Sequence, residues 1–151
     1  MTALNSFFKE HEEPKWLDAL PNYQKDIISE LLASNSHEDA AVAWLEASIG
    51  NTSPFSGQPQ PEKKFFALLK KEVHKLLCGN PEYAAERNEL TQLIQSPENK
   101  TAIVSMVSAL IGAKVGLAAA FVAPAIVIIF MIVAKTSLNV WCAMQTTEIA
   151  E

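Results

Sequence analysis

Three histidines, two cysteines and a single arginine are the residues of this chain with the most chemistry to offer. His11 precedes Glu12 and Glu13, but no second histidine follows at the spacing that pairs two imidazoles on one helix face around zinc. His37 is followed by Glu38 and Asp39. Acids there suit the first turn of a helix, where they complement the positive end of the dipole. His74 lies among Lys70, Lys71 and Lys75 beside an apolar stripe and reads as a boundary residue. Cys78 and Cys142 form no CxxC pair, so neither a disulfide framework nor a zinc site is expected, and both read as buried or interfacial thiols.

Arg87 has Asn88 after it but no histidine within a turn or two, so the Arg–His spacing of helical ribonucleases is missing. No serine sits in a G-x-S-x-G elbow and no glycine loop could cradle phosphate. The expectation is a non-enzymatic protein with no catalytic, cofactor-binding or metal residues. Net charge is −5 and Arg87 is the only arginine among twelve basic residues, which argues against nucleic acid as a partner.

The elements behind these residues read as all-α: a helical bundle with a C-terminal apolar helix or helical hairpin. The pattern Leu4, Phe7, Phe8, His11 predicts a first helix ending before Pro14. A short helical turn with Trp16, Leu17 and Leu20 closes at Pro21. Asn22 opens a helix with Tyr23, Ile27, Ile28, Leu31 and Leu32 on one face. Ser36 and Asp39 resemble a capping pair before a helix carrying Val42, Trp44, Leu45 and Ile49, which Gly50 stops. Residues 50–61, with three prolines and two glycines, read as a surface loop that Phe55 tacks down. The clearest amphipathic helix follows from Glu62 through Leu77. Asn80-Pro81-Glu82 and Ser96-Pro97-Glu98 are start signals for the next two helices.

Charged residues are 19% of the chain against a usual quarter or so, and the deficit is local. Residues 1–100 look like a cytosolic helical domain; residues 101–151 form an apolar region that packs on it or enters a membrane. From Ala102 to Ala134 the one charge is Lys114. The eleven Val, Ile, Leu and Phe residues between Val115 and Ala134 would supply about −3 to −7 kcal/mol of insertion free energy. Twenty residues also match the roughly 30 Å hydrocarbon thickness of a bilayer. The bend in this region falls either at Gly112 and Gly116 or at Pro124.

Ser108, Gly112, Gly116 and Ala120 recur every four residues and would line a close helix–helix seam. Lys63, Lys64, Lys70, Lys71 and Lys75 give one helix a basic face suited to anionic lipid or an acidic partner. Lys114 and Lys135 bracket the apolar stretch, and Trp141 stands where an interfacial aromatic would. The leading expectation is a protein that self-associates and contacts a membrane through its C-terminal region, as an anchor or an inserting, pore-forming effector. The alternative is a soluble interaction subunit or adaptor whose apolar helices are buried in its own bundle or in a partner complex. The N-terminus lacks a basic segment followed by an apolar one, so a cytoplasmic rather than secreted N-terminal domain is expected, with the inner face of a membrane as its neighbour.

Overall fold

In the computed structural model the backbone of residues 13–50, 61–79, 81–94 and 100–150 is described, with side chains from 16–45, 66–79, 81–94 and 100–144. The expected Leu4–His11 helix, the 51–60 part of the surface loop with Phe55, Asn80 and the Ser96-Pro97-Glu98 signal lie outside the described residues. A 3₁₀ segment, Glu13–Ala19, leads into α1 (Asn22–Ser34), α2 (His37–Gly50) and α3 (Pro61–Leu77). A 3₁₀ turn, Pro81–Tyr83, then leads into α4 (Ala84–Leu93), followed by α5 (Lys100–Val115), α6 (Ala119–Thr136) and α7 (Leu138–Ala150). No strand occurs among the described residues, and the fold is all-α.

Local signals account for most boundaries. Ser36 Oγ accepts the backbone N–H of Asp39 at 3.2 Å, so Ser36 caps α2. α3 buries Phe66, Leu69, Val73, Leu76 and Leu77 at helical spacing. Gly79 (φ +100°) follows it in the left-handed conformation that ends helices. The Pro81 signal starts a 3₁₀ turn rather than the α-helix itself, which begins three residues later.

α6 is the hub. α1, α2, α3, α5, α7 and the first 3₁₀ segment all pack against it. Val122 and Pro124 through Met131 are buried, as is Val133. Trp16 meets Phe130 edge-on, with ring centroids 5.0 Å apart. One hydrophobic cluster runs from Trp16 through the N-terminal helices to Trp141.

The bend falls at Gly116–Ala118. Gly116 has φ +80°, and Leu117 N–H bonds to the carbonyl of Gly112 at 2.9 Å, the six-to-one bond of a Schellman ending. Pro124 is not a break; it lies inside α6.

The α1 face differs from the expected one. Gln24 and Ile28 are buried, whereas Tyr23 is 63% exposed and Ile27 41%. A polar residue has taken the inward position because α6 offers it a partner.

Candidate functional site

Pro124 carries no N–H, so the carbonyl of Ala120, four residues earlier, loses its helical donor. Gln24 of α1 supplies one: its Nε2 donates to Ala120 O at 3.0 Å. The next carbonyl, of Phe121, accepts the indole N–H of Trp44 from α2 at 2.8 Å. The Trp44 and Phe121 rings lie beside each other at 6.2 Å. Two helices therefore fasten the start of α6 through its backbone as well as through packing.

Beside this point lies a cavity of about 330 Å³ between α1, α5 and α6. Tyr23, Gln24, Thr101, Ser105, Ala119 and Ala120 are among its walls. Among the described residues no lysine, arginine, aspartate or glutamate lines it. Ser108 also borders it, yet its hydroxyl is shut off from solvent and has no hydrogen-bond partner.

The four small residues of the expected seam do not lie on one helix. Ser108 and Gly112 are buried on α5, Gly116 is exposed in the turn, and Ala120 is exposed on α6. Their closeness serves the hairpin: a Cβ added to Gly112 would come within 2.6 Å of the carbonyl oxygen of Leu117.

Two lysines of the expected basic face, Lys70 and Lys75, and the bracketing Lys114 pair within the chain. Lys70 pairs with Glu38 at 3.4 Å and lies over the Phe66 ring. Lys75 sits between Glu72 (3.5 Å) and Glu82 (3.2 Å). Lys114 reaches Glu82 at 3.3 Å and lies over the Tyr83 ring. Lys71 and Lys135 are exposed, and the side chains of Lys63 and Lys64 lie outside the described residues. Trp141, expected at an interface, is 98% removed from solvent and faces the His74 ring at 6.0 Å.

This cluster shapes its own ionisation. Hydrogen bonding from Lys75, then from Lys114, holds the Glu82 carboxyl below its usual range. The hydrogen bond to Glu82 raises Lys75 in turn. Burial, reinforced by a hydrogen bond to Glu72, pushes the Tyr83 hydroxyl well above its ordinary value. The arrangement joins α3, the second 3₁₀ turn and α5.

Arg87 does structural work that its isolation in the sequence did not suggest. From α4 its Nε donates to Leu76 O at 2.9 Å and its Nη2 to Lys75 O at 3.2 Å, satisfying carbonyls at the end of α3.

The two cysteines overturn the expectation of free thiols. Cys78, just past α3, is disulfide-bonded to Cys142 of α7. Cysteines 64 residues apart in sequence are brought together by the packing of α3 and α7 on α6, which no spacing rule could reveal.

Among the described residues no group of three or more His, Cys, Asp or Glu is placed to hold a metal. Fold and site together define a class: an all-α bundle built around one apolar helix whose backbone is tied to its neighbours. No family model matches the chain, and no curated protein or solved structure matches it.

Proposed function

We propose that this protein is a non-enzymatic helical interaction subunit that keeps its apolar helix as its own core and works as a soluble homo-oligomer in the cytoplasm. The observation that carries this reading is the fastening of α6. Gln24 and Trp44 supply donors to the carbonyls of Ala120 and Phe121, at and next to the one that Pro124 orphans. That arrangement makes sense for a helix that stays in protein. The self-association surface in this reading is the α1 face on which Tyr23, a wall of the groove beside α5 and α6, and Ile27, one helical turn on, stand exposed.

Light scattering on the full chain, purified without detergent, tests it. A discrete oligomer is expected, and Tyr23→Glu with Ile27→Glu should reduce it to a monomer. A wild-type chain that is monomeric, or that stays in solution only with detergent, would overturn the reading.

A second reading has its own support. α6 has 18 residues and a mean hydropathy of 2.3, enough by length and composition to cross a bilayer. The hairpin tip is uncharged, with Gly116 and Ala118 to Ala120 exposed. In this reading the protein is an anchor or inserting effector, and the outer helices part before α5 and α6 meet lipid. Flotation with anionic phospholipid vesicles distinguishes the two: persistent carbonate-resistant binding favours insertion, and absence of binding rejects it.

A further inference from the structure

We propose that the Cys78–Cys142 disulfide is a redox-operated latch that holds α7 against the bundle, with Ser137 as its hinge. α7 is separated from α6 by one residue, Ser137. Its φ of 103° with ψ of 149° belongs to a region that residues with a side chain rarely occupy. Such a conformation persists only where the surroundings hold it. α7 packs against both α6 and α3, and three of its restraints meet at one end of α3. Cys142 is bonded to Cys78, the His74 ring nitrogen Nε2 lies 3.2 Å from the Cys142 carbonyl, and Trp141 packs against the His74 ring. Leu138 and Trp141 are the described α7 side chains that are fully covered; Val140 and Met144 face solvent.

Both cysteines are only half-buried, so a small thiol can reach the bond. A dithiol reductant opens it in two exchanges. Its thiolate attacks one sulfur, forming a mixed disulfide and releasing the other cysteine as a thiolate that takes up a proton. The reagent's second thiol then closes the reagent's own disulfide and releases the first cysteine. Two electrons pass from the dithiol to the protein, which gains two thiols. With the bond open, the hinge can relax to an ordinary backbone conformation, and α7 swings away, uncovering Leu138, Trp141 and the apolar surface beneath them. Cytosolic disulfides are commonly transient and redox-sensing, which suits a latch of this kind. The proposal does not depend on what the Tyr23–Ile27 surface binds.

Hydrogen exchange on the full chain, oxidised and after dithiothreitol, tests it. On reduction, amide exchange across 138–144 should accelerate by about tenfold or more, while α2 and the middle of α6 keep their protection. The double variant Cys78→Ser with Cys142→Ser should show the fast pattern with or without dithiothreitol. Ser137→Gly, which relieves the hinge, should retain more α7 protection than wild type after reduction. Unchanged exchange in α7 of the reduced wild type would overturn the latch. So would equal acceleration in α2 and α6, which would make the bond a general staple. Reduction of the wild-type chain decides the matter even if the double-serine variant does not fold.

Discussion

The side-chain amide of Gln24 occupies the hydrogen-bonding position that Pro124 leaves open at the carbonyl of Ala120. Replacing Gln24 with Leu should therefore cost about 1–3 kcal/mol, the penalty for a part-buried carbonyl left without a donor. Pro124→Ala restores a backbone N–H at that place. In the Pro124→Ala background the Gln24→Leu cost should shrink by more than half. A double-mutant cycle by urea denaturation measures the coupling, and additive effects would refute the link.

Ser108 and Gly112 lie on the same side of α5 and should respond in opposite directions. Ser108→Ala removes a buried hydroxyl without a partner and should stabilise the fold by about 1 kcal/mol. Gly112→Ala forces a methyl against the Leu117 carbonyl and should destabilise by about 1–3 kcal/mol. Thermal denaturation of the two variants beside wild type checks both signs.

Arg87 should matter for α3 rather than for any reaction. Arg87→Ala leaves the carbonyls of Lys75 and Leu76 without these donors and should cost about 2 kcal/mol. Arg87→Lys offers one point donor in place of a fork and should recover only part of the loss. Equal stability of Arg87→Ala and wild type would remove Arg87 from the account.

Glu82 makes a pH prediction with a definite sign. Its carboxyl is held below the ordinary 4.5 by Lys75 and Lys114, so the folded state binds its proton less readily than the unfolded chain. The stabilisation is present above pH 4.5 and is lost as pH falls through the lower folded value. Melting temperatures of wild type and Glu82→Gln should thus differ at pH 7 and converge once the pH falls below the depressed folded-state value. A difference that persists unchanged in acid would show that the carboxylate charge is not responsible.

Much of this protein follows from local physics. Helical periodicity marks α3, because five apolar residues from Phe66 to Leu77 must share one face. The hydroxyl of Ser36 sets the start of α2, and the missing Cβ of Gly116 permits the turn that ends α5. These depend on residues within a few positions of one another, and sequence order is enough to define them. The apolar character of α6 is likewise intrinsic, since it resides in composition alone.

Tertiary structure decided what covers that helix and what its neighbours do. Gln24 is not among the apolar residues that mark the α1 face; it is buried because a carbonyl 96 residues away lacks a donor. Cys78 and Cys142 looked like separate thiols; packing of α3 and α7 places them within bonding distance. Lys75 reads as part of a basic helix face and Lys114 as a bracket of the apolar stretch; Glu82, projecting from the turn between α3 and α4, engages both. Each of these outcomes couples residues distant in the chain. Their energies depend on a geometry that exists only once the helices have packed, so no local pattern could have carried them.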